Sequence, residues 1–268
     1  MMHDNMTHRE VYGNVDTDRY SRQLMISYFG IEAQRKLLKS SILVVGAGGL
    51  GSPVIMYLSA AGVGRISVVD FDTVEKSNLQ RQVIHAGRIG WNKAKSAKRF
   101  VEGLNPDVEI ETVQESVKPE NVMDLIRGHD VVVSCPDNFR TRFILNDATR
   151  IAGIPMVHGA IFEFEGEAMT ITSSPCYRCL YPESPPSKVP GIIGATAGVV
   201  GSIQAVETLK ILTGIGKILS GRLIRIDLQT MEFYEIELKK RENCPVCSGE
   251  LKEIYPENYT DSCRIVRI

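Results

Sequence analysis

The stretch SILVVGAGGLG, residues 41–51, decides the fold of this chain because it joins an apolar run to a glycine-rich turn. Ser41–Val45 is predicted to be a buried parallel strand, and residues 50–61 are predicted to form a helix that packs back on the sheet. In such a turn the first glycine permits the tight bend, the second lets the backbone approach a phosphate, and the third allows close packing of helix on strand. The turn therefore predicts a nucleotide site whose glycines are Gly46, Gly48, Gly49 and Gly51.

Asp70 closes the second predicted strand, about where an acidic residue accepts hydrogen bonds from ribose hydroxyls. An NAD-binding oxidoreductase fits these features as well as an ATP-binding enzyme does, and a glycine turn without a ligand stays open. The polar run that follows favours ATP, because Asn78, Gln80, Arg81 and Lys93 would together surround a triphosphate with donors and positive charge. The chain has no Walker-type GxxxxGK[ST] motif to do this. Arg81 or Lys93 alone would indicate only a solvated surface charge.

Four of the six cysteines form two Cys-x-x-Cys pairs, Cys176 with Cys179 and Cys244 with Cys247. Two such pairs can complete a tetrahedral four-thiolate zinc site with bonds of about 2.3 Å. Because cysteine thiolates would fill all four coordination positions, the zinc would be structural. It would hold the C-terminal part of the chain against the loop after the main sheet. Two disulfides or two redox dithiols are the alternatives, although an intracellular chain favours thiolates over disulfides.

Predicted strands and helices alternate as far as residue 160, which implies parallel pairing with right-handed crossovers. Beyond residue 160 the pattern changes to antiparallel strands. We therefore predict an α/β fold with a Rossmann-like, doubly wound mixed sheet, parallel in its N-terminal half and antiparallel in its C-terminal half. The predicted strands are 41–45, 66–69, 108–113, 130–134, 156–159, 167–172, 223–227 and 232–238, and the predicted helices are 50–61, 93–104, 120–127, 139–152 and 195–212.

Composition limits the partners. The chain has 268 residues, of which 43% are hydrophobic, and a net charge of −1, so it can bury one large core. It has no basic run and no apolar stretch near the roughly 20 residues that a membrane helix requires, so neither DNA nor a membrane is predicted as a partner. The polar residues 1–17 lack the apolar core of a signal peptide, and a cytoplasmic location is expected.

Five motifs together resemble the ThiF/MoeB/HesA family, the bacterial and archaeal relatives of ubiquitin-activating enzymes. They are GAGGLG at 46–51, DFD at 70–72, NLQRQ at 78–82, CPDN at 135–138 and CYRCL at 176–180, and the similarity runs from about residue 19 to residue 249. The resemblance implies that ATP activates the C-terminal glycine of a ubiquitin-fold sulfur carrier protein (MoaD/ThiS-like) as an acyl adenylate. Pyrophosphate would be released, and the pathway would be molybdopterin, thiamin or tRNA thiolation.

The resemblance also implies roles for individual residues. Asp137 would hold Mg²⁺ on the ATP phosphates, and Arg81 and Lys93 would neutralise phosphate charge. Asp70 would hold the ribose, and Arg22 would reach into the partner subunit's site, so that the enzyme would be active only as a homodimer. The other nucleotide-binding residues by motif are Asp72, Asn78, Gln82 and Asn138. Asp137 has a second reading as the N-cap of the helix that starts near residue 139.

The reaction itself needs little acid–base machinery. A C-terminal carboxylate has a pKa of about 3.3–3.7, so the nucleophile is already ionised at neutral pH. We accordingly predict no catalytic histidine, and His85, His129 and His158 are each expected to satisfy local hydrogen bonds.

One departure from the family concerns the loop after the first cysteine pair. Residues 181–199 contain no cysteine and look shortened, so covalent transfer of the carrier is not expected there. Cys135 is expected to pack in the core, and Cys263 is expected to be a free surface thiol. No sequence is left over for a rhodanese-type domain, so a separate sulfurtransferase is expected to supply sulfur.

The carrier would contact two regions. Val189, Ile192 and Ile193, in the loop over 182–196, would guide its Gly-Gly tail, with a plain surface loop as the alternative. Its body would dock on the strands near 223–238. We divide the chain into a polar extension (1–17), an adenylation domain (18–250, with nucleotide-binding half 18–160 and carrier-binding and zinc half 161–250) and a tail (251–268). The alternative functions are adenylation of a peptide or modified-nucleoside carboxylate, NAD-dependent oxidoreduction and non-catalytic binding.

Overall fold

The computed structural model describes residues 15–185, 191–260 and 262–268. Most of the predicted N-terminal extension lies outside the described residues, and so does Val189 of the predicted tail-guiding loop. Among the described residues, no helix combines the length and apolarity that crossing a bilayer requires.

The fold is built on one eight-stranded mixed sheet. Its strands are β1 Ser41–Val45, β2 Arg65–Val69, β3 Glu109–Val113, β4 Val131–Ser134, β5 Met156–Phe162, β6 Glu165–Ile171, β7 Arg222–Asp227 and β8 Glu232–Glu237. They lie in the order β3-β2-β1-β4-β5-β6-β7-β8. Pairing is parallel from β3 to β5 and antiparallel from β5 to β8. This confirms the predicted mixed sheet and the point at which its pairing changes.

Helices cover both faces of the sheet. They are α1 Ser21–Leu24, α2 Gly30–Lys39, α3 Gly51–Ala61, α4 Lys93–Leu104, α5 Val122–Ile126, α6 Phe139–Ala152, α7 Tyr177–Leu180, α8 Gly194–Thr213 and α9 Pro245–Ser248. Helices α2, α3, α4 and α8 contribute buried residues to the core on one face. Helices α5, α6, α7 and α9 do so on the other face, where the two cysteine pairs also lie. The predicted helices 93–104 and 139–152 match α4 and α6 at both ends.

Strand β1 is buried along its whole length because both faces of the sheet are covered. Ile42 and Val44 belong to the core under α3 and α8. Leu43 and Val45 belong to the core under α6. Each such side chain stabilises the fold by about 1.5–3 kcal/mol relative to an exposed one. Four consecutive apolar residues in β1 therefore fix its place at the centre of the sheet.

The C-terminal segment packs on its own chain. Tyr259 is fully buried and donates from its hydroxyl to Asp147 of α6 at 3.0 Å. Cys263 is also buried, and its carbonyl accepts from Arg178 of α7 at 2.7 Å. The prediction of a free surface thiol at Cys263 was therefore wrong, because the segment joins the apolar core beside the cysteine pairs.

Candidate nucleotide-binding site and four-cysteine centre

Three of the predicted functional segments meet at one edge of the sheet. The glycine turn follows β1, Asp70 follows β2, and Asp137 comes shortly after β4. The chain order reverses between β1 and β4, which are adjacent and parallel. In open α/β sheets, ligands bind outside the carboxyl ends of the strands at such a reversal. The fold therefore places these segments where a nucleotide would bind.

The glycine turn is tight on one side and open on the other. Gly46 has a φ of +93°, and a Cβ there would lie 2.8 Å from the Cys135 carbonyl oxygen, so only glycine fits. At Gly48 the nearest atom to a Cβ would be Gln82 Nε2 at 3.7 Å. Helix α3 begins at Gly51 without a side-chain cap. The Ser52 N–H is bonded to the Gly48 carbonyl at 2.9 Å and Pro53 has no N–H, so the Gly51 N–H is the donor that the first turn of α3 leaves for an anion beside the glycine turn.

Asp70 is hydrogen-bonded to the backbone of the glycine turn. Its Oδ2 accepts from the Ala47 N–H at 2.8 Å, and its Oδ1 accepts from the Asp72 N–H at 2.9 Å. Burial raises the pKa of the Asp70 carboxyl, while these hydrogen bonds and the charge of Lys93 act in the opposite direction. Each carboxylate oxygen keeps a second lone pair. A ribose contact at Asp70 stays a prediction.

His85 is the residue of this site whose role sequence reasoning missed. The sequence indicated only local hydrogen bonds, whereas its Nε2 lies 2.7 Å from the carbonyl oxygen of Ala47, in the glycine turn. Its Nδ1 lies 2.9 Å from Ser96 Oγ of α4. The ring is fully buried, and burial lowers its pKa to about 4. The one available signal was its position three residues after the NLQRQ run.

The predicted polar set surrounds the turn. Lys93 begins α4, is largely buried and pairs with Asp72 at 3.0 Å. The aliphatic part of Arg81 lies against Gly49, and its Nη1 donates to the Ser77 carbonyl at 3.1 Å. Two cations therefore flank the glycine turn, one of them held in place by a carboxylate.

The two predicted amide residues on this side have different environments. Asn78 Oδ1 accepts from the Glu75 N–H at 3.0 Å and closes a short 3-10 turn, so part of its role is local. Gln82 is buried at 3% exposure, and its Oε1 has no hydrogen-bond partner among the described residues. Because an unpaired buried amide oxygen is costly, Gln82 has capacity left for a ligand or a water.

The residue that caps the start of α6, just after β4, differs from the one that the sequence suggested. Asn138, not Asp137, is the N-cap of α6, since its Oδ1 accepts from the Thr141 N–H at 2.9 Å. An extended Asn138 backbone suits this role, and it leaves Asp137 exposed at the site edge. The N-cap reading of Asp137 was therefore wrong, and its Oδ1 accepts a long hydrogen bond from Asn138 Nδ2 at 3.5 Å.

Arg22 lies apart from the rest of the candidate set. Its neighbour Gln23 donates to the carbonyl of Ala61, the last residue of α3, at 3.2 Å. Tyr20 accepts from Asn105, just beyond the end of α4, at 2.9 Å. A helix of the length of α3 spans about 16 Å, and the glycine turn lies at its other end. Within one chain, the structure therefore does not bring Arg22 to the predicted phosphate site.

The four cysteines of the two pairs converge. Their Sγ atoms all lie within 4.8 Å of one another, with Cys176 and Cys244 3.7 Å apart and Cys179 and Cys247 3.6 Å apart. A tetrahedral site with bonds of about 2.3 Å requires sulfur separations of about 3.8 Å, whereas a disulfide requires about 2.05 Å. The backbone N–H of Arg241 also donates to Cys179 Sγ at 3.4 Å. The cluster is compatible with zinc, and the thiols are not paired as disulfides.

Fold and site together define a nucleotide-binding enzyme of the doubly wound α/β class. Residues 20–246 match the model of the ThiF family, and the chain belongs to that family. It is 49% identical over 257 residues to the SAMP-activating enzyme E1 of Haloferax volcanii, covering 92% of this chain and 95% of that protein. It is 43% identical to the sulfur carrier protein adenylyltransferase of Thermus thermophilus, covering 88% and 92%. The protein is thus a ThiF/MoeB-type adenylyltransferase.

Two further comparisons concern length and fold. The chain is 42% identical to the adenylyltransferase and sulfurtransferase MOCS3 of Drosophila sechellia, of which it spans 54%, using 88% of its own length. The crystal structure of E. coli MccB with ATP matches with a TM-score of 0.77 at 21% identity, covering 88% of this chain and 75% of that one. At this identity the match supports the fold alone.

The burial of His85 predicts a pH-dependent stability. Below pH 6.5 the unfolded chain binds a proton at this histidine, whereas the folded chain does so only near pH 4, so stability falls as the pH drops through this window. Between about pH 7.5 and about pH 5 the free energy of unfolding should fall by about 2 kcal/mol more in the wild type than in His85→Gln. Urea unfolding at both pH values measures this difference, and equal losses in the two proteins would contradict it.

Proposed function

We propose that the protein adenylates the C-terminal glycine of a ubiquitin-fold sulfur carrier protein that ends in Gly-Gly, using ATP and releasing pyrophosphate. The observation that carries the proposal is the assembly of open turn N–H groups, Arg81, Lys93 and the exposed Asp137 around the reversal between β1 and β4. The names of the relatives from Haloferax volcanii and Thermus thermophilus support activation of a carrier protein. The pathways we propose are molybdopterin, thiamin or tRNA thiolation.

The chemistry follows from charge. A carboxylate oxygen of the carrier attacks the α-phosphorus of ATP, the bond to the β-phosphate oxygen breaks, and pyrophosphate leaves. Since the carboxylate is already ionised, the enzyme must mainly offset repulsion between two anions and hold them in line. The open N–H groups of the turn, Arg81 and Lys93 would take up charge on the phosphates.

A divalent metal would complete the charge balance at Asp137. Its carboxylate is exposed at the site edge and does not cap α6, and an oxygen ligand of this kind suits Mg²⁺. Bound there with the phosphates, Mg²⁺ would supply positive charge between their oxygens. Asp70 would hold the ribose. The other residues proposed to contact the nucleotide are Asp72, Asn78, Gln82 and Asn138.

The carrier would dock on the exposed face of the antiparallel strands. Register places Arg225 beside Tyr234, and Ile236 two residues further along β8 lies on the same face. Tyr234 is 48% exposed, Ile236 42% exposed, and Phe162 at the end of β5 46% exposed. Ile192 and Ile193 lie between this region and Gln80, whose side chain contacts the Ile192 carbonyl at 3.4 Å. They would guide the Gly-Gly tail toward Arg81.

We also propose that the enzyme acts as a homodimer. Arg22 stands at the end of α3 away from its own glycine turn, so it can serve a phosphate site only in a second subunit. Exposed apolar side chains surround it on the same side, among them Met25 at 72% and Tyr28 at 73% exposure. A surface of this kind favours association with a second copy.

Sulfur would come from a separate sulfurtransferase. Cys135 is buried at 6% exposure and Cys263 at 1%, and burial raises the pKa of the Cys135 thiol. A buried thiol of raised pKa is a poor nucleophile. The two cysteines outside the cluster are therefore poor candidates for a sulfur relay.

Carrier-dependent ATP–pyrophosphate exchange tests the proposed function. Exchange should require a folded carrier that ends in Gly-Gly, and a carrier shortened by that dipeptide should not support it. Arg22→Ala and Asp137→Ala should each abolish exchange, whereas an equal mixture of the two, refolded together, should recover about a quarter of wild-type activity. Only the mixed dimer then contains one intact site.

Two results would contradict this account. Exchange supported by a free peptide ending in Gly-Gly, and not by any folded carrier, would point to a peptide carboxylate as the substrate. Full exchange by Arg22→Ala alone, or no recovery in a mixture shown to contain mixed dimers, would remove the partner arginine from the site.

We further propose that Cys176, Cys179, Cys244 and Cys247 hold a structural zinc ion. Purified protein should contain one zinc per chain, because four thiolates at these separations match a closed tetrahedral site. Cys244→Ser should lose the metal and lower the melting temperature, while Ser248→Ala, on the exposed side of the same turn, should change neither. Metal analysis and thermal unfolding measure both effects. A metal-free wild type that unfolds unchanged after chelator treatment would overturn the assignment.

A further inference from the structure

We propose that His85 is a positioning residue for the nucleotide site: its Nε2 holds the Ala47 carbonyl and thereby orients the N–H of Gly48 toward the phosphates. The inference rests on the proposed function, since it concerns the same site. It extends beyond the predicted phosphate-binding residues, because His85 does not touch the open side of the turn.

The hydrogen-bond partners fix the form of the ring. The Ala47 carbonyl oxygen can only accept, so Nε2, 2.7 Å away, carries the proton. Nδ1 of the neutral ring is then an acceptor, and Ser96 Oγ donates to it at 2.9 Å. Arg88 Nε in turn donates to Ser96 Oγ at 2.9 Å. The chain of hydrogen bonds has one direction, from Arg88 to Ala47.

Peptide planarity carries this contact to the other side of the turn. In a trans peptide the carbonyl of Ala47 and the N–H of Gly48 point in opposite directions. With the Ala47 carbonyl aimed at the buried His85, the Gly48 N–H points away from that ring, and no acceptor among the described residues bonds to it. The preceding peptide is fixed as well, since the Ala47 N–H donates to Asp70 at 2.8 Å.

Because the site is buried, water cannot take over the hydrogen bond that His85 donates to the Ala47 carbonyl. Ala47 and His85 are both fully buried, so water does not reach the Ala47 carbonyl if the ring is removed. A buried carbonyl without a donor is unfavourable, and the peptide would rotate to find one. Rotation would turn the Gly48 N–H away from its phosphate-binding direction.

The same ring couples the turn to a cation. Ser96 lies one helical turn after Lys93 in α4, so the contact between Nδ1 and Ser96 sets the separation of the glycine turn from Lys93. Asp72 holds the start of this helix through the Lys93 N–H at 2.8 Å and the Lys93 ammonium at 3.0 Å. The charged groups that face His85 are Lys93 and Arg88, and both oppose its protonation. Burial, together with these two charges, lowers the pKa of His85, so the ring is neutral at physiological pH.

The test compares ATP binding in three variants by calorimetry, together with the KM for ATP in carrier-dependent exchange. His85→Leu should raise the Kd and KM for ATP about tenfold with kcat changed by less than about twofold, because the defect lies in the phosphate cradle. His85→Gln should restore most of the affinity, since its amide nitrogen can donate to the Ala47 carbonyl. His129→Leu removes a half-buried histidine bonded to Ser67, away from the turn, and should leave ATP affinity unchanged.

Thermal unfolding separates positioning from stability. A merely structural role would lower the melting temperature of His85→Leu and leave the Kd for ATP within about twofold of wild type, which would overturn the proposal. Equal loss of affinity in His85→Gln and His85→Leu would overturn it too. Wild-type protein that binds ATP without carrier-dependent exchange would contradict the proposed function alone, and wild-type protein that binds no ATP would contradict both.

Discussion

The whole candidate site depends on how the two peptide groups around Ala47 are held. Asp70 fixes one from the end of β2, and His85 fixes the other from the segment that leads to α4. Both side chains are buried, so these hydrogen bonds do not compete with water. The orientation of the glycine turn is thus set by residues that lie 23 and 38 positions further along the chain. The directions of the Gly48 N–H and of the Gly51 N–H at the start of α3 follow from that orientation.

The fold places two cationic side chains beside this backbone with only a small desolvation penalty. Lys93 is nearly buried but paired with Asp72, while Arg81 packs its aliphatic part on Gly49 and keeps its guanidinium partly exposed. Pairing a buried ammonium avoids the large penalty of an isolated charge. Asp137 stays exposed because Asn138 takes over the helix cap. The edge of the sheet therefore offers donors, cations and, at Asp137, an exposed carboxylate, which suits a reaction between two anions better than one that needs a general base.

Much of the fold could be predicted from the sequence because burial leaves a clear pattern. The run SILVV at Ser41–Val45 gave β1 at both ends, since a strand covered on two faces is apolar over nearly its whole length. The predicted starts of α4 and α6 were right, and in the structure Asn92 and Asn138 cap them by accepting from backbone N–H groups. The convergence of the two cysteine pairs also followed from their spacing.

What could not be predicted depends on long-range contacts. His85 looked like one of several scattered histidines, because the residues next to it in the sequence do not indicate a hydrogen bond to Ala47. Cys263 sits in a segment of mixed polarity, and its burial becomes visible only once Tyr259 reaches Asp147. Asp137 and Asn138 are adjacent and both suited to capping, so local propensity could not choose between them. In each case the deciding partner lies in another element or depends on local backbone geometry.

The most direct test of this account is a crystal structure of the protein with a non-hydrolysable ATP analogue. We predict phosphate oxygens within about 3 Å of the Gly48 N–H and of the Gly51 N–H at the start of α3, with the Ala47 carbonyl still bound to His85 Nε2. A nucleotide whose phosphates lie elsewhere, or a turn whose Gly48 N–H faces the interior, would contradict it.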